Sequence, residues 1–191
     1  MSHSILPISN FLDASELVER AKRIKLFLLD VDGVLTDGRL YFSNQGDEFK
    51  TFSTLDGHGI KMLQKSGVKV GIITGRTSNL VAKRASDLGI KMLIQGREDK
   101  WDALQEILAE HPVAHEEIAF MGDDWPDLSV MSRVGLAFTP ANGHSSVVEL
   151  SHWQSQARGG EGAVREACDL LLKAQGSFDQ LLNSYLPQGS Q

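Results

Sequence analysis

Asp30-Val31-Asp32-Gly33-Val34 sets two carboxylates one residue apart at the end of the run Ile-Lys-Leu-Phe-Leu-Leu. A carboxylate can attack phosphorus and form an aspartyl-phosphate. A second carboxylate nearby can protonate the leaving oxygen and then activate the water that clears the intermediate. Asp30 and Asp32 suit those two tasks, and Gly33 lets the backbone turn tightly behind them. A solvated acidic turn would have the same composition, so the meaning of the pair rests on its company.

Three further clusters accompany it. Thr74-Gly75-Arg76 closes the run Val-Lys-Val-Gly-Ile-Ile. A hydroxyl and free amides there suit a phosphoryl oxygen, and Arg76 can reach an anionic substrate group. A plain strand-to-helix turn would also use these residues. Gly122-Asp123-Asp124, with Asp127, follows Glu-Ile-Ala-Phe-Met. Such acids are hard oxygen ligands suited to Mg2+, and Asp124 or Asp127 also fits as a helix cap. A cation must offset this negative charge. Lys100 opens the helical stretch before the acidic strand, whereas Lys83 sits mid-helix as an ordinary surface charge. Lys100 is the better candidate.

The elements that must position these residues are visible as a repeating pattern. Apolar runs at 24–30, 68–74, 91–95, 117–123 and 134–138 read as buried strands. Helical stretches lie between them, and residues 13–23 form a short amphipathic helix with Asp13 as its cap. Alternation of this kind predicts an α/β fold, a doubly wound parallel sheet with right-handed crossovers. Ligands in such sheets bind beyond the carboxyl ends of the strands, where Asp30, Thr74 and Asp123 fall. Residues 39–52 break the pattern and read as a β-hairpin flap around an Asn-Gln-Gly-Asp turn. The chain is expected to be one domain over 1–191, with 176–191 a partly flexible tail.

Composition narrows the classes. Length 191, 41% hydrophobic residues and 23% charged residues describe an ordinary globular protein with a proper core. A net charge of -6 argues against a nucleic-acid partner. No window approaches a membrane span, no leader is evident, and the single cysteine, Cys168, reads as a buried structural thiol. The expectation is a cytoplasmic protein without membrane contact. His58 reads as a turn or substrate-side residue, and Trp101, Trp125 and Trp153 as packing aromatics.

Asp-Val-Asp-Gly-Val, Ile-Ile-Thr-Gly-Arg, a lysine ahead of an apolar strand and Gly-Asp-Asp-x-x-Asp occur in that order. Together they resemble the four motifs of the haloacid-dehalogenase superfamily. From Ile24 to Gln175 the chain also resembles the 3-deoxy-D-manno-octulosonate 8-phosphate phosphatase family. That likeness is carried by TDGRLYF, GDEFKTFSTLDGHGIKML, QGREDK and GGEGAVREACDLLLKAQ. The resemblance implies a phosphatase acting on a small sugar-acid phosphate in lipopolysaccharide synthesis. It implies Asp30 as nucleophile, Asp32 as acid/base, and Mg2+ held by the Asp30 carboxylate, the Asp32 carbonyl and Asp123. Thr74 and Lys100 would bind the transferring phosphoryl group. Substrate contacts map onto Asp32, Ser53, Thr54, Leu55, Asp56, Gly57, Lys61, Arg76, Arg84 and Lys100. Leu55 departs from the family, whose members carry a basic residue there, while Lys61 keeps its charge. The resemblance further implies a homotetramer whose hairpins replace a lid domain, with Gly159 to Gly162 a mobile segment reaching a neighbouring site; a helix-entry loop before Ala163 would use the same glycines. Two other readings are a phosphatase for a nonulosonate 9-phosphate and a non-catalytic assembly protein on the same scaffold.

Overall fold

The computed structural model describes residues 11–187. The chain opens with α1 (Ala14–Ala21), capped by the Asp13 carboxylate, and enters β1 (Leu26–Leu29). The hairpin strands β2 (Tyr41–Phe42) and β3 (Glu48–Phe49) pair antiparallel by themselves. Then α2 (Thr54–Lys65), β4 (Lys69–Ile73), α3 (Asn79–Asp87), β5 (Met92–Ile94) and α4 (Lys100–Glu110) alternate. After β6 (Ile118–Met121) come α5 (Leu128–Met131), β7 (Leu136–Thr139), α6 (Ser145–Leu150) and β8 (Trp153–Gln154). Two helices close the described chain, α7 (Ala163–Ala174) and α8 (Phe178–Asn183).

The sheet order is β5-β4-β1-β6-β7-β8, all parallel, as a doubly wound α/β protein requires. Every residue of β1 is buried, because alternate side chains feed two cores. Phe27 and Leu29 pack in one cluster with Ile60 and Leu63 of α2 and Ala167 and Leu171 of α7. Leu26 and Leu28 pack in the other with Leu104 of α4, Val130 of α5 and Val147 of α6. Each such side chain contributes about 1.5–3 kcal/mol by leaving water, which anchors the strand whose last step is Asp30. The chain runs outward from β1 through β4 to β5, then returns to build β6, β7 and β8 on the other side. Strand order reverses at β1, so the ligand crevice belongs at its carboxyl end.

The expected strands are in place. Two elements lack a readable signal: β8 has only two residues, and α6 is a six-residue helix. From position 176 the structure differs from a loose tail. Phe178 and Leu181 of α8 pack against the core, and the Tyr185 hydroxyl lies 3.3 Å from the Met62 sulfur. Positions 188–191 of that expected tail lie outside the described residues.

The Gly159–Gly162 run is the entry loop of α7. It does not project outward but packs on its own chain. Gly160 N–H donates to the Val34 carbonyl at 3.0 Å, and Gly159 N–H donates to Asn142 Oδ1 at 2.6 Å. A side chain at Gly159 would overlap the Gly33 carbonyl, and one at Gly160 would press on the Thr36 backbone. Glycine serves here for close backbone approach rather than for mobility. Gly162 has φ 115° and turns the chain into α7.

Candidate active site

Asp30 follows β1 directly, its N–H donating to the Met121 carbonyl of β6 at 3.0 Å. The side chain is buried and meets Lys100 Nζ at 2.8 Å. Lys100 is the first residue of α4, whose N-cap Asp99 accepts from Trp101 and Asp102 N–H. The same ammonium reaches Asp127 Oδ1 at 2.5 Å. Asp127 Oδ2 accepts from the N–H groups of Asp123 and Asp124, at 3.0 and 3.2 Å. One buried carboxylate therefore holds both the lysine and the acidic loop. Gly122 makes room for it, since a side chain at that position would strike Asp127. Gly33 has φ 94°, and any side chain there would strike the Asp123 carboxylate. The two acidic loops can approach only because these positions are glycine.

The loop after β7 fastens the pair from behind. Asn142 Nδ2 donates to the Gly33 carbonyl at 3.0 Å, and His144 N–H donates to the Asp123 carbonyl at 2.8 Å. Carboxylate oxygens of Asp30, Asp123 and Asp127 gather within 4.8 Å of one another. Burial, then Asp127, push Asp30 up to about 7, with Lys100 pulling the other way. Burial, then Asp30 and Asp127, push Asp123 up to about 8. Lys100 is shifted down by burial, but its two carboxylate partners prevail and its pKa is raised. Crowded carboxylates of this kind, without histidine or cysteine, form a donor set that fits a hard divalent cation.

A cavity of about 710 Å3 opens over these groups, lined by Asp30, Asp32, Thr74, Arg76, Lys100 and Asp123 among others. Six of the residues singled out in the sequence thus share one space. Lys83 does not; it pairs with Asp87 at 2.9 Å on the exposed side of α3. The stretch Ser53 to Gly57, Lys61 and Arg84 also lie off this cavity. Ser53 caps α2, accepting from Asp56 N–H, and its carbonyl accepts from Arg84 Nη2 at 2.9 Å. Arg84 also lies over the Phe52 ring at 5.8 Å and against Gly57. Asp56 is buried, and its Oδ1 accepts from Arg165 N–H at 2.8 Å. That carboxylate fastens α2 to the first turn of α7, where a negative charge is favoured by the helix dipole. Thr54, Leu55 and Lys61 are exposed.

Sequence reasoning missed Lys50. Its side chain is almost wholly buried and pairs with Asp32 Oδ1. The available signal was alternation: Glu48 and Lys50 flank Phe49 at the end of the second hairpin strand, with Lys50 just beyond it. Asn142 carried no signal, because its role comes from a loop whose course no periodicity reports.

Comparison with known proteins places this geometry. A family model described as haloacid dehalogenase-like hydrolase matches residues 92–165. The 3-deoxy-D-manno-octulosonate 8-phosphate phosphatase KdsC of Yersinia pestis is 44% identical over 166 residues, covering 87% of this chain and 89% of the relative. The chain belongs to the KdsC phosphatase family. It is accordingly an enzyme of the phosphomonoester hydrolase class. The family's counterpart from Escherichia coli K12 is 42% identical over 167 residues, again covering 87% and 89%. A crystal structure of the Moraxella catarrhalis phosphatase, in complex with magnesium, phosphate and KDO, superposes with a TM-score of 0.89. It has 40% identity and covers 91% of this chain and 99% of that one.

Proposed function

We propose that this enzyme hydrolyses 3-deoxy-D-manno-octulosonate 8-phosphate to the free sugar acid and inorganic phosphate. The observation that carries the reading is Asp30, buried beside Lys100 at the foot of a cavity whose acids fit a divalent cation. In the first step an Asp30 oxygen bonds to phosphorus, the sugar–oxygen bond to phosphorus breaks, and Asp32 gives its proton to the departing oxygen. In the second, Asp32 takes a proton from water as that water bonds to phosphorus and the aspartyl bond breaks. Lys100 holds the Asp30 charge and, with Thr74, receives the phosphoryl oxygens. Mg2+ would be held by Asp30, Asp123 and the Asp32 carbonyl, and when bound it supplies positive charge against the phosphoryl group.

Arg76, half-exposed at the cavity rim, would meet the substrate carboxylate. Thr54, Leu55 and Lys61 are exposed away from the cavity, with Ser53, Asp56, Gly57 and Arg84 beneath them as support. They would touch substrate only from a neighbouring subunit, which favours a homo-oligomer; the family resemblance makes it a tetramer. Among the described residues no helix is long and apolar enough to cross a membrane. We place the enzyme in the cytoplasm, in lipopolysaccharide synthesis.

The second reading is a nonulosonate 9-phosphate, a related sugar-acid phosphate whose phosphoryl group the same Asp30, Thr74 and Lys100 would receive. Phosphate release from both sugar-acid phosphates, with and without Mg2+, tests the assignment. The expected result is Mg2+-dependent release with the higher kcat/KM on the octulosonate. A higher value on the nonulosonate reverses the substrate, and no release from either revives a non-catalytic scaffold.

A further inference from the structure

Beside the exposed aromatics of the hairpin stands a buried lysine, Lys50. Phe49 is 55% exposed, while the side chain of Lys50 next to it is 2% exposed. The Lys50 ammonium pairs with Asp32 Oδ1 and lies 3.4 Å from Glu48 Oε1. Arg76 Nη2 donates to that same Glu48 oxygen at 2.9 Å, and Arg76 Nε lies 3.8 Å from Asp32 Oδ2. Asp32, Lys50, Glu48 and Arg76 therefore form a closed ring of alternating charge. Lysine is almost never buried without such pairing, and a two-residue strand has little apolar burial to hold it otherwise. The ring joins the hairpin to the acidic turn.

We propose that Lys50 is a positioning residue for the general acid Asp32, which makes the hairpin part of the catalytic apparatus and not only a cover. By engaging Oδ1, Lys50 fixes the carboxyl plane, and Oδ2, 3.8 Å from Arg76 Nε and so beyond hydrogen-bond reach, is the oxygen that exchanges protons with the cavity. This rests on the reading of Asp32 as the acid. In the first step, the proton on Asp32 passes to the oxygen leaving phosphorus while the Asp30–phosphorus bond forms. Misaligning that proton costs most when the leaving oxygen is strongly basic, as in a sugar alkoxide. A nitrophenolate departs without needing a proton.

The test compares kcat/KM on the sugar-acid phosphate and on p-nitrophenyl phosphate for the wild type, Lys50→Met, Lys50→Arg and Asp32→Asn. This quantity covers the steps up to release of the alcohol, and any unfolded fraction cancels in the ratio of the two substrates. Lys50→Met is expected to lose on the order of tenfold or more on the sugar phosphate and distinctly less on the nitrophenyl ester. Lys50→Arg should restore most of the ratio. Equal losses on both substrates would reduce Lys50 to a structural ion pair, and a gain on the sugar phosphate would also overturn the proposal. Asp32→Asn separates the two levels. If it discriminates between substrates and Lys50→Met does not, Lys50 alone is misassigned. If neither discriminates, Asp32 is not the acid and the inference falls with it.

Discussion

The carboxyl edge of the sheet and the hairpin are held by different physics. Asp30, Lys100 and Asp127 are buried, and each is fixed by a strand end, a helix start or backbone N–H groups. The hairpin has two strands of two residues, and Leu40, Phe42 and Phe49 are 49%, 61% and 55% exposed. Its link to the site is a ring of charges. Reacting atoms sit on the part whose position is over-determined, as tight tolerances demand. Covering, recognition and the alignment of Asp32 fall to a part with few buried apolar contacts, held to the site by ion pairs.

Breaking the rigid side should show the largest effect. Asp30→Asn keeps size and removes the carboxylate proposed as nucleophile, so turnover should fall on the order of 10^3-fold or more. Thermal unfolding should stay level or improve, because the variant relieves a buried charge. Comparable turnover in the pure variant would end the covalent mechanism. Metal binding reports the same crowding. Asp30 and Asp123 are raised from 3.8 to about 7 and about 8, so protons compete with a cation below those values. Mg2+ affinity by calorimetry should rise between pH 6 and 8 and then level off. Without metal, the folded state retains protons that the unfolded chain releases. Stability should therefore fall as pH rises from about 4 to about 8, and added Mg2+ should recover it most at the upper end. A pH-independent affinity would contradict the assigned crowding.

The supports behind the site come next. Gly159→Ala forces a side chain onto the Gly33 carbonyl and the Thr36 carbonyl, both backbone atoms that cannot swing aside. A cost of about 3 kcal/mol or more is expected in denaturant unfolding. An unchanged midpoint would mean this segment is not packed as described. Asp56 gives a smaller effect. Burial raises it from 3.8 to about 6, opposed by N–H groups at the start of α7. A raised acid is protonated in the fold before it is in the unfolded chain, so its contribution is lost as pH climbs from about 4 to about 6. Measured with Mg2+ present, the wild type should lose about 2 kcal/mol relative to Asp56→Asn across that window. A constant difference between the two proteins would show that Asp56 does not titrate there.

Much of the fold was legible because parallel strands buried on both faces leave apolar runs of their own. Leu26 to Leu29 and Ile118 to Met121 are such runs, and the acids that end them follow as strand termini. The charged partners were harder to read. Lys100 precedes its strand and has a motif around it, but Lys50 is tied to Asp32 across 18 positions by the way the hairpin folds back. Asn142 and Gly33 are separated by 109 positions. Gly159 to Gly162 read equally as a mobile segment or a helix-entry loop, because glycine suits both freedom and close approach and composition cannot tell which the fold uses. Asp56 sits in a stretch that resembles a substrate loop, yet its carboxylate faces the first turn of α7.

The hairpin should show the smallest effect on the fold and a clear one on assembly. Phe42 and Phe49 are exposed in the single chain, on strands too short to form an independent unit. The register pairs Phe49 with Tyr41 and Phe42 with Glu48, so the two phenylalanines lie on opposite faces of the hairpin; exposed aromatic surface on both faces marks a segment that a partner encloses, and closed symmetric oligomers are the common way to cover it. Phe42→Ser together with Phe49→Ser should therefore shift the light-scattering mass from tetramer toward monomer. Neither residue is in the core, so unfolding of the dissociated chain should change by only about 0.5 kcal/mol per substitution. Activity should divide along the same line. Sugar-phosphate turnover should drop with the mass if Thr54, Leu55 and Lys61 act on a neighbour's substrate. Turnover of p-nitrophenyl phosphate, which needs only the cradle of one chain, should hold. A wild type that is monomeric at micromolar concentration would remove the assembly from the proposal. An oligomer untouched by the double substitution would place its contact elsewhere than on the hairpin.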